Sequence, residues 1–134
     1  MIKGYYISKD KSKLKIENIK ALLKQTYWAA DRQEETIAKA IKNSICYGIF
    51  DNCNNQVGFA RVITDYATAY YLCDVIIHKE HSGKGLGKSM IEFITNDGKL
   101  KSLRGLLLTK DAHGFYEQYG FERNAEKFMQ KTVR

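Results

Sequence analysis

The sequence predicts a mixed α/β fold. Strand-like apolar runs cluster around a tight turn in the first half, helical periodicities interleave with strands in the second half, and a glycine-rich loop joins a long strand to a helix. The 134 residues fit one domain, 1–134. A hydrophobic content of 44% with 12% aromatics is enough for a core and sets the chain apart from disordered sequences.

Tyr5, Tyr6 and Ile7 suit a first strand over Lys3–Ser8. Ile16, Ile19, Leu22, Leu23 and Tyr27 recur at helical spacing, which predicts a helix over Leu14–Trp28 with Tyr27 in its core face. Asp31 followed by Glu34 resembles an N-cap with its box partner, opening a helix that carries Ile37, Ala38 and Ile41 and ends near Asn43. Cys46–Asp51 and Val57–Thr64 read as a hairpin around a turn at Asn52–Asn55. The apolar run of Ala69–His78 reads as a central strand covered on both faces. After the glycines, Met90, Ile91 and Ile94 mark the buried stripe of a helix that runs to about Thr95. Leu103–Thr109 reads as a fifth strand and Ala112–Gln118 as a short helix that Gly120 terminates. Phe121–Arg123 and Lys127–Val133 read as closing strands.

The net charge of +7 attracts anions in general, whether nucleic acid or a phosphorylated cofactor. A nucleic-acid role has no reading helix, zinc module or RNA-stacking motif behind it and rests on charge alone. Cys46, Cys53 and Cys73 lack paired metal spacing and read as reduced thiols of a cytoplasmic protein, with no metal site. No stretch reads as a membrane span or a signal peptide.

Glycines at 83, 85 and 87 let the backbone approach a bulky anion, and the helix that follows aims unpaired N–H groups at the same point. A P-loop reading fails at Ser82, where the G-x-x-x-x-G-K-[ST] pattern needs glycine. Only about 50 residues follow the loop, too few for several parallel strands with crossover helices. The G-x-G-x-G spacing, with no βαβ unit at the N-terminus, excludes a dinucleotide-binding fingerprint.

Ser82-Gly83-Lys84-Gly85-Leu86-Gly87 is entered from a strand and opens a helix. About thirty residues on stands Ala112-His113-Gly114-Phe115-Tyr116-Glu117-Gln118-Tyr119-Gly120-Phe121. Together, from about Ala69 to Phe121, these stretches resemble the [QR]-x-x-G-x-[GA] and A-x-x-x-Y-x-x-x-G-F signatures of the GNAT superfamily of acyl-CoA-dependent N-acyltransferases. Two positions depart from the pattern: Ser82 replaces Gln or Arg, and Thr109 stands where the family often has Asn.

The resemblance implies a mixed, mostly antiparallel central sheet flanked by about four helices, and acetyl-CoA as co-substrate. Its pyrophosphate would lie on the backbone of Ser82, Gly83, Lys84, Gly85, Leu86, Gly87 and Lys88, with Lys84 and Lys88 adding charge. Its pantetheine arm would pair beside Val75, Ile76 and Ile77, with the N–H of Ile76 polarising the thioester carbonyl. Thr109 would hydrogen-bond the ligand, and Tyr116 would be the acid for the leaving thiolate.

Asp74, a carboxylate inside an apolar strand, reads either as the base that takes the amine proton or as a structural carboxylate held by backbone N–H groups or a lysine. Trp28 reads as a wall of the acceptor site, which Tyr70 and Tyr71 help to line. Asp65 reads as an attractor for a cationic acceptor or as a plain turn residue. His78 and His113 read as hydrogen-bonders or proton shuttles, with no serine or cysteine partner at a recognisable spacing. The implied reaction is direct attack of a small-molecule or peptide amine on the thioester; the alternative is an acyl-CoA-binding module without turnover. Acceptor identity and a homodimer stay open.

Overall fold

The structure, a computed structural model, describes residues 1–133. Its strands are β1 (Tyr5–Ser8), β2 (Ile45–Asp51), β3 (Gln56–Thr64), β4 (Ala69–Ile77) and β5 (Arg104–Leu107), and its α-helices are α1 (Ile16–Leu23), α2 (Glu34–Lys42), α3 (Leu86–Thr95) and α4 (His113–Glu117). The strands form one sheet in chain order, antiparallel from β1 to β4, with β5 parallel to β4. This is the mixed, mostly antiparallel sheet with four helices that the sequence predicts.

Each face of the sheet buries one helical stripe. On one face Leu86, Met90, Ile91 and Ile94 of α3 pack against Tyr47, Ile49, Val62 and Leu72. On the other, Ile19, Leu22 and Leu23 of α1 and Ile37 of α2 pack against Cys46 and Phe59. A fully buried side chain of this size contributes about 1.5–3 kcal/mol, so the two stripes set where the helices sit. The end of α3 is also tied down by charge: the Tyr47 hydroxyl donates to the Asp97 carboxylate at 2.9 Å, and Lys9 Nζ pairs with it at 2.8 Å.

Several predicted boundaries shift for local reasons. The first helix ends at Leu23 rather than Trp28, because the Thr26 hydroxyl donates to the Leu23 carbonyl at 2.7 Å and accepts the Ala29 N–H at 3.1 Å. Tyr27 is therefore outside the helix and 68% exposed, not core. Asp31 does not cap α2: Gln33 is the N-cap, with no side-chain bond, and Glu34 and Glu35 place negative charge on the first turn. The closing strands do not form; Ala125–Lys127 is a 3₁₀ turn, and β5 is left as an edge.

Pairing of β4 with β5 runs from Ala69↔Arg104 to Leu72↔Leu107 and stops there. The second half of β4 stays paired to β3 only, so its other edge is open. The hinge of this splay is crowded. A Cβ on Gly105 would lie 2.7 Å from Cζ and Oη of Tyr70 and 3.1 Å from Phe121. Tyr70 is buried and has two side-chain torsions with which to yield. Gly105→Ala is expected to cost about 1–3 kcal/mol in urea unfolding; a change within ±0.3 kcal/mol would show that Tyr70 moves aside freely.

Candidate active site

Phe59 pairs with Ile76 but Arg61 pairs with Cys73, so Asp74 and Val75 together oppose Ala60. This is a β-bulge, and Asp74 takes the left-handed conformation (φ +54°) at it. An antiparallel ladder alternates bonded and unbonded residues. The His78 N–H bonds the Val57 carbonyl at 2.7 Å, so the Ile76 N–H faces β3 while those of Val75 and Ile77 face the open edge. The oxyanion-donor reading therefore moves from Ile76 to Val75. Ile76 also turns its side chain to the α1–α2 face.

The bulge also sends the Asp74 side chain to the α1–α2 face. Leu72 packs on the α3 side, whereas Asp74 meets Arg32, Arg61 and Trp28. Its Oδ2 accepts Arg32 Nη1 at 2.6 Å and Arg61 Nε at 2.9 Å, and its Oδ1 accepts Trp28 Nε1 at 3.3 Å. Arg61 reaches on to Ser44 Oγ at 3.0 Å. Burial alone raises the pKa of Asp74, but the two guanidinium groups outweigh burial and hold the carboxyl below its ordinary value. Two arginines and the Trp28 indole, not backbone or lysine, satisfy this carboxylate.

The glycine loop forms the second half of the site. Gly83 (φ +78°) and Gly85 (φ +82°) are left-handed, and Gly85 is the N-cap of α3. The helix's own bonding begins with Ser89 N–H on the Gly85 carbonyl, which leaves the N–H groups of Leu86, Gly87 and Lys88 without an acceptor in the helix. Leu86 offers only its backbone, since its side chain is buried under the sheet. Ser82 is exposed, and its hydroxyl donates to the Lys79 carbonyl at 2.7 Å, tying off the turn before the loop. Lys84 leans back on Tyr5, with Nζ 3.1 Å from its hydroxyl. Lys88 is exposed on the first turn of α3.

Loop, strand and α4 meet at Gly87: a Cβ there would lie 3.9 Å from both Ile77 and Phe115. Next to Phe115, the ring of Tyr116 packs on the α3-side core, and burial pushes its phenol up to about 12. Thr109 Oγ1 accepts the Ala112 N–H at 3.0 Å and so shapes the approach to α4. His78 closes the turn after β4, its Nδ1 accepting the Glu80 N–H at 3.1 Å; His113 is the first residue of α4.

The structure brings Trp28 to Asp74 but leaves Asp65 out. The Asp65 carboxylate takes the N–H groups of Ala67 and Thr68 and the Thr68 hydroxyl at 2.7–2.9 Å, and these bonds hold its pKa well below the ordinary value. It sits at the β3–β4 turn, roughly 17 Å along the strand from the bulge at ~3.4 Å per residue, too far to hold an acceptor there. Tyr70 is core rather than acceptor wall. Arg32 and Arg61 escaped sequence reasoning. Arg61, a lone cation in the apolar run Phe59-Ala60-Arg61-Val62-Ile63, carried the same signal that singled out Asp74; Arg32, in an irregular segment, carried none.

Residues 42–123 match the family model of the acetyltransferase (GNAT) domain. A crystal structure of a GNAT-family protein from Xanthomonas campestris aligns over 99% of this chain and 96% of that one, with a TM-score of 0.92 and 39% identity. A Gibberella zeae protein named as an acetyltransferase is 31% identical across 88% of this chain and 79% of its own length. Plant relatives are longer: the chain covers 28% of the chloroplastic GCN5-related N-acetyltransferase 2 of Arabidopsis thaliana. A Clostridium acetobutylicum protein crystallised with acetyl-CoA shares the fold at 13% identity and a TM-score of 0.69.

The charge cluster sets a pH signature. The pKa of Asp74 lies lower in the folded than in the unfolded chain, so the unfolded chain takes up the proton first as pH falls. The ion-pair stabilisation is complete above the unfolded value of ~3.9 and drains away as pH drops through the folded value. Asp74→Asn strands Arg61 beside a neutral amide and is expected to cost about 2–3 kcal/mol in urea unfolding at pH 7. The gap to wild type should narrow below pH ~4. An equal gap at both pH values would contradict the ion-pair account.

Proposed function

The chain belongs to the GNAT acetyltransferase family, and from that premise we propose that residues 1–134 act as an acetyl-CoA-dependent N-acetyltransferase, passing the acetyl group to a primary amine by direct attack. The observation that carries this reading is the convergence at Gly87. Here the loop with its unpaired N–H groups, the end of the open-edged β4 and the helix that carries Tyr116 come together. The residues fit the co-substrate: backbone donors for a pyrophosphate, an unpaired strand edge for an extended arm, and a phenol near both.

When bound, acetyl-CoA supplies the thioester. The cradle from Gly83 to Lys88 anchors its phosphates, with Lys84 at the rim. The Val75 N–H, aimed out of the edge by the bulge, polarises the acyl carbonyl. The Tyr116 hydroxyl keeps its proton at neutral pH and donates a hydrogen bond toward the leaving sulfur. Full transfer from a phenol of about 12 to a thiolate of ~8.5 runs uphill, so the hydrogen bond is the contribution expected of it. Thr109 fixes the entry of α4 and thereby the place of Tyr116.

Direct attack fits the thiols. Cys73 neighbours Asp74, but burial pushes its thiol up to about 11, so that sulfur is not activated to carry an acyl group. Asp74 serves as the pin of the two arginines rather than as a strong base, because those same bonds lower its proton affinity. Deprotonation of the acceptor is instead assisted by charge. Two guanidinium groups share one carboxylate, so the surroundings are net cationic and disfavour an ammonium.

Three measurements test this reading. Tyr116→Phe should lower kcat for thiol release from acetyl-CoA about tenfold, the worth of one hydrogen bond; an unchanged kcat at saturating substrate would remove that role. Gly85→Glu forces a left-handed Glu, costing about 1–2 kcal/mol, and sets a carboxylate against the phosphates. Calorimetric CoA binding should vanish while the circular dichroism spectrum holds, and undiminished affinity would refute the cradle. The acid limb of kcat should fall roughly one unit below the acceptor's own pKa, while that of kcat/KM tracks free reactants; coincident limbs would sink the charge-assisted step.

A further inference from the structure

We propose that the acceptor carries a carboxylate or phosphate beside its primary amine, and that Arg32 binds that anionic group at the mouth of the site. This rests on the transferase reading and names the class of its second substrate. The first observation is charge. Asp74 is matched by two arginines, so the cluster carries an uncompensated positive charge next to the bulge. The reading of Asp65 as an attractor for a cationic acceptor is thereby reversed: Asp65 lies elsewhere, and Asp74 is outnumbered by arginines.

The second observation is which arginine has donors to spare. Arg61 is the more buried, its side chain 13% exposed, and it engages Nε with Asp74 and Nη1 with Ser44. Arg32 is 23% exposed and bonds Asp74 through Nη1. A guanidinium has five N–H donors in a planar fork that suits bidentate binding of a carboxylate or phosphate. With one edge fixed by Asp74, the rest of the Arg32 fork is held in place for a ligand, at little further entropic cost.

The third observation is the wall beside it. Trp28 and Tyr27 are both substantially exposed and stand edge to face at 5.0 Å, with Trp28 anchored on the same carboxylate as Arg32. Lys110 Nζ lies 5.5 Å from the Tyr27 ring centre and adds a second cation on that side. An aromatic surface edged by cations suits a small amine with a carbon body and an acidic group.

Trp28 is the chain's one tryptophan, so its emission reports on this site alone. With coenzyme A present, matched pairs are titrated: leucine against isopentylamine, and glucosamine 6-phosphate against glucosamine. At least one anionic member should shift the emission saturably and bind tenfold or more tightly than its partner. Arg32→Gln should erase that preference and Arg32→Lys should keep part of it, with thermal unfolding confirming that both variants fold. Equal binding within both pairs, no saturable shift with either anionic member, or an undiminished preference in Arg32→Gln would overturn the proposal. Thiol release then separates the two readings. Neutral amines acetylated as efficiently as acidic ones would overturn the anion site and leave the transferase standing. Tight anionic binding without thiol release from any amine would support the anion site and refute turnover.

Discussion

The bulge at Asp74 and Val75 is the constraint on which the site depends. A regular β4 would carry the Asp74 side chain to the α3 face beside Leu72, into an apolar core where a carboxylate has no partner. One extra residue opposite Ala60 reverses this, turning Asp74 toward Arg32 and Arg61 and the N–H of Val75 toward the open edge. The left-handed backbone at a non-glycine residue costs on the order of 1–3 kcal/mol. Hydrogen bonds between charged groups contribute about 1.5–3 kcal/mol each, so two of them outweigh that strain. The bulge is stable because the arginines hold it.

The bulge also divides labour between the two sides of the sheet. Beyond Leu72 the parallel pairing with β5 ends, and the freed edge of β4 leads through a 3₁₀ turn at Lys79–His81 into the glycine loop. On that side the groups proposed for recognition are backbone: N–H groups of a strand edge and of a helix start. On the α1–α2 side they are side chains: Trp28, Arg32 and the carboxylate that anchors both. Backbone donors suit a ligand common to a whole family, whereas side chains are free to differ between its members.

The parts legible in the sequence were those with local causes. The strand–loop–helix around Gly83, Gly85 and Gly87 follows from backbone freedom and helix-end chemistry, and α3 from the spacing of Met90, Ile91 and Ile94. Trp28 was read as a wall of the acceptor site and Asp74 was singled out for its cost in an apolar strand, and the folded chain brings the two within 3.3 Å. What stayed hidden depends on long-range register. The bulge is a mismatch between two strands and leaves no mark in either one alone, so the parity that favours Val75 over Ile76 was invisible. The pairing of Asp74 with Arg32, 42 positions away, arises only when α2 docks on the sheet. Thr26 ended α1 early through a hydroxyl bond that competes with helix propagation, and that exposed Tyr27.

Asp74 and Val75 are consecutive, so the two halves of the site share one pair of backbone torsions. Whatever moves Arg32 acts on the Asp74 carboxylate, and through its constrained φ on the direction of the Val75 N–H. An acceptor that engages the outer edge of Arg32 leaves the inner edge on Asp74 and adds a partner to a guanidinium already fixed, which tightens the pin. An ammonium placed there would compete with both arginines for the same carboxylate and loosen it. On the proposed reading, the direction of the Val75 N–H is thereby coupled to the charge of the acceptor. That coupling follows from a single strained residue, without any movement of the sheet.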